Sequence, residues 1–174
     1  MTGHDAVVFD LDGTLVRLAV DWDAVDSEVA AIVAEAGGDP AGRRAWALYD
    51  EAVDLGVGDA VEECIAAHER AGVADSRRLP LADRLPLAVP VGVCSLNCEA
   101  AVRAALDAHG LLDHVDAVVG RDIVDARKPD PEPLVEACRR LGVGPADAVF
   151  VGDSDSDAET ARRAGTGFVA AADY

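Results

Sequence analysis

The chain is almost devoid of lysine. Lys128 is its only one, and the other fourteen basic residues are arginines. Against 15 basic residues stand 33 acidic ones, which give a formal net charge of −18 and a pI of about 4.3. We therefore expect neither nucleic acid nor an anionic membrane as a partner, because so acidic a surface repels polyanions. Abundant Asp spread along the chain, with hardly any Lys, is typical of proteins from salt-loving microbes.

Aromatic residues and long apolar runs are also scarce. Phe, Trp and Tyr make up 4% of the chain, yet 51% of the residues are apolar, which is too many for a disordered chain and enough for a packed core. No run of about 18 apolar residues is present to span a bilayer, and the N-terminal residues lack the features of a signal peptide. We expect a soluble, cytoplasmic protein that is a monomer or a small homo-oligomer.

Cysteine and histidine show no metal-binding pattern. The cysteines form no C-x-x-C pair and nothing indicates an oxidising compartment, so buried free thiols are the favoured interpretation. The histidines are scattered, which gives no support for a zinc site with paired spacing. The residues concerned are Cys64, Cys94, Cys98 and Cys138, with His4, His68, His109 and His114.

Five short Val-rich runs predict the strands of a parallel sheet. Each run is apolar throughout instead of alternating, as buried parallel strands are. Helical segments that end at glycine lie between the later runs. This alternation predicts an α/β fold with a doubly wound, Rossmann-like parallel sheet of five strands. The runs are residues 6–9, 89–94, 117–119, 148–151 and 168–170, and the helices are 98–109, 131–141 and 155–164.

Roughly 75 residues separate the first run from the second, far more than a crossover connection needs. An insertion is therefore predicted. Its sequence favours helices at 21–36, 40–55 and 58–71, followed by a proline-rich return segment, 77–90, with at most a short helix. We predict a core domain of residues 1–16 and 81–174, and a small all-helical cap at 17–80.

Carboxylates follow two of the predicted strands. Asp10 and Asp12 lie in FDLDGTL after the first run, and Asp153 lies in VGDSDSD after the fourth, with Asp157 four residues later. Ligands bind beyond the carboxyl ends of parallel strands, so these groups should converge. Clustered carboxylates repel unless a cation joins them, and hard oxygen donors in an open site favour Mg²⁺. For Asp155 we favour a place in the first turn of a helix, where acids complement the dipole, and for Asp157 this role and a role in the site are equally open.

Two further segments follow the second and third runs. Ser95, with the backbone of Leu96 and Asn97, is a candidate phosphate-binding group, although Ser95 or Asn97 also suits the cap of the next helix. Lys128 lies in RKPDPEP. A compact ammonium acts as a point charge between carboxylate and phosphate where a planar guanidinium does not fit, which explains why lysine persists at this one position.

In order along nearly the whole chain, these four segments resemble the haloacid dehalogenase-like hydrolase superfamily, particularly its phosphoglycolate-phosphatase-like members. The resemblance implies that Asp10 attacks phosphorus to form an aspartyl-phosphate, and that Asp12 protonates the leaving alkoxide and then activates water. It implies a magnesium ion held by Asp10, the Asp12 carbonyl and Asp153, with Asp157 in support. Ser95 would bind the phosphoryl oxygens and Lys128 would neutralise their charge. Leu96 departs from the Asn that is common in related sequences.

The implied function is a Mg²⁺-dependent phosphatase acting on a small phosphorylated metabolite, such as a phosphoglycolate-like compound or a sugar phosphate. Two alternatives stay open. One is a sugar phosphomutase of the same family, which returns the phosphoryl group to its substrate. The other is a catalytically silent regulatory or binding protein, which has no need of Asp12 and Lys128 together. Dehalogenation is disfavoured because a halide leaves without the proton that Asp12 would supply.

Overall fold

The structure is a computed structural model that describes residues 3–174. Strands and helices alternate along the chain. The strands are β1 (Ala6–Phe9), β2 (Val16–Arg17), β3 (Arg77–Arg78), β4 (Val91–Cys94), β5 (Ala117–Val119), β6 (Ala148–Gly152) and β7 (Gly167–Ala170). The helices are α1 (Trp22–Glu35), α2 (Ala45–Asp54), α3 (Gly58–Ala71), α4 (Glu99–Ala108), α5 (Glu132–Leu141) and α6 (Asp155–Ala164).

Five strands form one parallel sheet in the order β5-β4-β1-β6-β7, which confirms the predicted fold class. The chain builds the sheet outward from β1 to β5 and then crosses to the other side of β1 for β6. Residues that follow β1 and β6 therefore lie at the point where the strand order reverses, the usual ligand crevice of such sheets. Val8 and Phe150 of these two strands are fully buried against Leu134 of α5.

The chain divides into two compact units. One holds the chain up to Leu18 together with Asp75–Tyr174, and the other is the helical unit Ala19–Ala74. The predicted cap, residues 17–80, begins two residues before this helical unit and ends six residues after it. The difference arises because β2 pairs antiparallel with β3, which keeps the start of the return segment with the sheet. A short 3₁₀ helix, Pro80–Arg84, follows β3.

The helical unit contains α1, α2 and α3 around its own apolar core, which includes Val29, Leu48 and Ile65. Helix α2 begins at Ala45, so the predicted start at residue 40 is wrong. The cause is Gly42, whose φ of 70° lies in the left-handed region and interrupts any helix. Among the described residues, no helix has both the length and the apolar character that crossing a membrane requires.

The cysteines are free thiols, as predicted, but one is not buried. Cys94, Cys98 and Cys138 are buried, whereas Cys64 is partly exposed on α3. The apolar surroundings of the sheet account for the three buried thiols, since free cysteine packs as a small hydrophobic residue. Cys64 instead is partly buried and packs against the apolar core of the helical unit.

Candidate active site

Lys128 is a buried ammonium held by oxygens from three segments. Its Nζ lies 2.8 Å from Asp10 Oδ1, 2.6 Å from Asp157 Oδ1 and 3.4 Å from the Cys94 carbonyl oxygen. The Lys128 side chain is 3% exposed. The backbone NH of Asp10 donates to the carbonyl of Val151 at 2.8 Å, which extends the β1–β6 pairing and carries this carboxylate to the edge of the sheet. The C-terminal ends of β1 and β4 and the N-terminal end of α6 thus meet at the ammonium group of Lys128.

Burial sets the protonation of this group of side chains. Burial raises the pKa of Asp10 to about 6, because it outweighs the opposing effect of Lys128. Burial lowers the pKa of Lys128, but the negative groups around it, Asp10 first, raise that pKa further, so the ammonium stays charged. The thiol of Cys94 is held neutral, since burial raises its pKa to about 12. The site therefore combines a permanent cation with a carboxylate that titrates in mild acid.

Three carboxylates gather where a metal would bind. Oxygen atoms of Asp10, Asp153 and Asp157 all lie within 4.8 Å of one another. Asp10 and Asp157 are buried and Asp153 is exposed. Asp157 uses both of its oxygens within the protein, since Oδ2 accepts hydrogen bonds from the Ser154 hydroxyl at 2.7 Å and the Ser154 amide at 3.1 Å. This engagement favours a supporting role for Asp157 and leaves Asp10 and Asp153 as candidate ligands.

Two glycines leave room for the side chains of Asp153 and Asp157. Gly13 has a φ of 95°, and a Cβ atom there would lie 2.0 Å from Asp153 Oδ2. A Cβ atom on Gly152 would lie 2.5 Å from Asp157 Oδ2. Any larger residue would displace the carboxylate that it meets. The donor set consists of hard oxygen atoms with an exposed side at Asp153, which fits the preference of Mg²⁺.

The segment after β4 is closed by its own hydrogen bonds. Ser95 Oγ accepts from the Asn97 amide and donates to Asn97 Oδ1, both at 3.1 Å. Cys98 occupies the N-cap position of α4, so the interpretation of Ser95 or Asn97 as the helix cap is wrong. The cause is that Asp122 Oδ1, in the segment after β5, accepts a hydrogen bond at 2.7 Å from the backbone NH of Glu99, the first residue of α4.

The acids after β6 have separate structural roles. Ser154 caps α6 in a reciprocal capping box with Asp157. Asp155 is a first-turn acid of α6, as predicted. Asp157 is also a first-turn acid of α6, and it contacts Lys128 as well. Its support of a metal ion stays a prediction.

Asp12 and Arg17 face each other beside the carboxylate cluster. Asp12 Oδ1 accepts a hydrogen bond from the Leu18 amide at 3.0 Å. Arg17 places Nε 3.9 Å from Asp12 Oδ1 and Nη2 4.0 Å from Asp153 Oδ2, with half of its side chain exposed. Sequence reasoning missed Arg17, since a two-residue strand such as β2 has no detectable periodicity.

Two further buried polar residues also escaped prediction. The guanidinium of Arg121 donates to the carbonyl of Leu96, and its own backbone NH donates to Asn97 O at 3.0 Å, which fixes the loop after β4. Thr14 is 2% exposed, and its Oγ1 has no hydrogen-bond partner among residues 3–174. A sequence cannot show which arginine or threonine becomes buried, because that depends on the approach of distant segments.

Together these features define an α/β protein with an aspartate–lysine site and a metal-suited carboxylate cluster at the carboxyl edge of a parallel sheet. The family model described as haloacid dehalogenase-like hydrolase matches residues 86–171. A phosphoglycolate phosphatase from Rhodospirillum rubrum is 36% identical, over 92% of this chain and 76% of that protein. The chain belongs to the haloacid dehalogenase-like hydrolase family, among its phosphoglycolate-phosphatase-like members, which confirms the sequence prediction.

Solved structures show the same fold. A protein described as a predicted phosphoglycolate phosphatase from Haemophilus somnus superposes with a TM-score of 0.68 at 20% identity, covering 98% of this chain and 86% of that one. A subfamily IA hydrolase of the same superfamily from Geobacter sulfurreducens gives a TM-score of 0.63 at 25% identity, covering 97% and 87%.

Proposed function

We propose that the chain is a Mg²⁺-dependent phosphatase that hydrolyses small phosphate monoesters through an aspartyl-phosphate on Asp10. The contact between Lys128 and Asp10, inside a carboxylate cluster at the ligand edge of the sheet, carries this proposal. It sets a cation beside the proposed nucleophile, where the charge of a transferring phosphoryl group has to be stabilised. The names of the relatives favour a phosphoglycolate-like substrate.

The first step transfers the phosphoryl group to the protein. A carboxylate oxygen of Asp10 forms a bond to phosphorus while the bond from phosphorus to the ester oxygen breaks. The electron pair of that bond stays on the leaving oxygen, which takes a proton from the carboxyl group of Asp12 and departs as the alcohol. Asp12 is left as a carboxylate, ready to act as a base.

The second step restores the protein. Asp12 removes a proton from a water molecule, whose oxygen forms a bond to phosphorus. The bond between phosphorus and Asp10 breaks, inorganic phosphate leaves, and Asp10 is again a carboxylate. Asp12 is protonated once more, so one water is consumed for each ester hydrolysed.

The remaining residues bind the phosphoryl oxygens and the metal. Lys128 neutralises developing charge. The backbone NH of Asn97 donates to Ser95 Oγ, and the Ser95 hydroxyl donates to Asn97 Oδ1. The Ser95 hydroxyl would therefore bind a phosphoryl oxygen by turning away from Asn97 Oδ1, together with the backbone NH of Leu96. Mg²⁺ would be held by Asp10, the carbonyl of Asp12 and Asp153, with Asp157 in support. When bound, the ion supplies charge neutralisation for the phosphoryl group.

We assign substrate choice to the helical insertion predicted as a cap. The core residues named above account for the phosphoryl group and the metal, and none of them distinguishes one alcohol from another. Selection of the alcohol then falls to residues outside the core site.

The test is steady-state release of inorganic phosphate from 2-phosphoglycolate and from hexose phosphates. Assays with Mg²⁺ and with chelator, in low and high salt, should show turnover only with the metal. Asp10→Asn should abolish turnover, and the exposed Asp113→Asn should leave it unchanged. Quenched reactions should carry one phosphoryl group on the peptide that contains Asp10. Absence of turnover across the panel would contradict the proposal, and return of phosphate to an isomeric sugar without net release would establish a mutase.

A further inference from the structure

Three potential metal ligands lie together outside the active site, within the helical unit. Cys64 and His68 are four residues apart on α3, a spacing that places both on one face of a helix. Glu28 lies opposite them on α1. A nitrogen of His68, the sulfur of Cys64 and an oxygen of Glu28 all lie within 4.8 Å of one another. Sequence reasoning missed this cluster, because Glu28 lies 36 residues from Cys64 and a single pair four residues apart, Cys64 and His68, is not a paired zinc motif.

The distances within the cluster match those around a tetrahedral ion. Glu28 Oε1 is 3.2 Å from His68 Nε2, and Glu28 Oε2 is 3.7 Å from Cys64 Sγ. Zinc bonds of about 2.0–2.3 Å at tetrahedral angles separate such ligand atoms by about 3.3–3.6 Å. Two of the three pairs lie within a few tenths of an ångström of these values, each through a different oxygen of Glu28. The third pair, Cys64 and His68, lies within 4.8 Å, so a bound ion would draw these two side chains together.

The donor set selects the kind of ion. A thiolate and an imidazole bind zinc-class transition ions, whereas magnesium prefers oxygen donors alone. Three protein ligands leave a fourth position for water, as in many zinc sites. Glu28 is 60% and His68 21% exposed at the side chain, so an ion reaches the cluster from solvent.

The helices that carry the ligands are already fixed to one another. Val29, adjacent to Glu28, and Ile65, adjacent to Cys64, are fully buried in the shared core of α1, α2 and α3. The ligand backbones are thus held by packing and not by the ion. We propose that Glu28, Cys64 and His68 form a binding site for zinc or a similar transition-metal ion, which would bridge α1 and α3. Binding replaces the thiol proton of Cys64, which is released to solvent as the sulfur–metal bond forms.

Cobalt(II) is the probe that separates this site from the active site. A cobalt–thiolate bond gives a charge-transfer absorption that carboxylate ligands cannot produce. The full-length protein, freed of metal with chelator, should develop this absorption as one equivalent of Co²⁺ binds, and Zn²⁺ should displace it. The absorption should persist in Asp10→Asn, which disables the proposed phosphatase, so failure of one proposal is distinguishable from failure of the other.

Variants test each ligand. Cys64→Ser should abolish the charge-transfer absorption. Glu28→Gln and His68→Gln should weaken Co²⁺ binding by at least about 100-fold, since even indirect partners of metal sites cost about 10–100-fold. The matched controls are Glu35→Gln, an exposed residue on α1, and His114→Gln. Both should bind Co²⁺ as the wild type does.

Thermal unfolding shows whether each variant still folds. Without metal, each variant should keep the melting temperature of the wild type within a few degrees. Zn²⁺ should raise that temperature more in the wild type and in the two controls than in the three ligand variants. The proposal is overturned by a wild type that shows no charge-transfer absorption, by an absorption that survives in folded Cys64→Ser, or by Glu28→Gln and His68→Gln variants that bind as tightly as their controls.

Discussion

Replacement of Lys128 by Met removes the buried cation that contacts Asp10 and Asp157 in the candidate active site. Met keeps a flexible side chain of similar length but lacks the ammonium that lies 2.8 Å from Asp10 Oδ1 and 2.6 Å from Asp157 Oδ1. Two buried carboxylates are then left without their shared partner. Removal of one member of a buried ion pair costs about 3–5 kcal/mol. We expect the free energy of unfolding of metal-free protein to fall by about that amount at pH 8.

This destabilisation should shrink in acid. Burial raises the pKa of Asp10 to about 6 even with Lys128 in place, and loss of the nearby positive charge raises this pKa further. As pH falls from 8 to 5, the folded variant therefore takes up a proton on Asp10, which removes one uncompensated charge. The difference in unfolding free energy between Lys128→Met and the wild type should accordingly be smaller at pH 5 than at pH 8.

Urea unfolding in chelator, followed by circular dichroism at both pH values, measures the effect. The control is Arg163→Met, which removes an exposed partner of Glu159 and should cost less than about 1 kcal/mol at either pH. In parallel, kcat for phosphate release should fall by at least about 100-fold in Lys128→Met. Lys128→Arg should fold yet stay severely impaired, because its planar fork does not fit. A loss of stability below about 1 kcal/mol at pH 8 would refute the assignment of Lys128 as the charge that holds the site together.

Three other substitutions probe single features of the same segment. In chelator, the contribution of Asp10 to the unfolding free energy should fall by about 2 kcal/mol as pH rises from about 4 to about 6, because folded Asp10 binds its proton more tightly than the unfolded chain does. Urea curves of Asp10→Asn should lack this contribution, and an identical pH dependence in the variant and the wild type would show that another group titrates. Thr14→Val should raise stability by about 1–3 kcal/mol, since it removes a buried hydroxyl without a partner; a measured loss in urea unfolding would show that the hydroxyl is satisfied. Gly13→Ala should lower stability by about 1–3 kcal/mol, because position 13 has a positive φ that alanine rarely adopts. The same variant should weaken Mg²⁺ binding in calorimetry by displacing Asp153, and unchanged Mg²⁺ affinity would exclude Asp153 as a ligand.

The sheet was predictable because each strand leaves a local signal. Strands β1 and β5 begin and end where the apolar runs predict, since buried parallel strands need apolar side chains on both faces. The positions of Asp10 and Asp153 were predictable from the same apolar runs, because residues that directly follow parallel strands lie at one edge of the sheet. Local composition thus carries the fold class and the position of the ligand crevice.

The features that were missed depend on contacts between distant segments. Strands β2 and β3 contain two residues each, too few for any periodic pattern, and form only because they pair with each other. Arg17 reaches Asp12 and Asp153 through that pairing. The start of α2 was placed too early because the backbone conformation of Gly42 is not visible in composition.

The burial of Lys128 has a practical consequence for protein chemistry. With a single lysine in the chain and its amine enclosed by carboxylates, acylating reagents and amine-directed crosslinkers meet no lysine side chain on the folded surface. Denaturation exposes that amine, so one acyl group per chain is gained when the site opens. The extent of lysine labelling therefore reports, by mass, the fraction of molecules whose active site has opened.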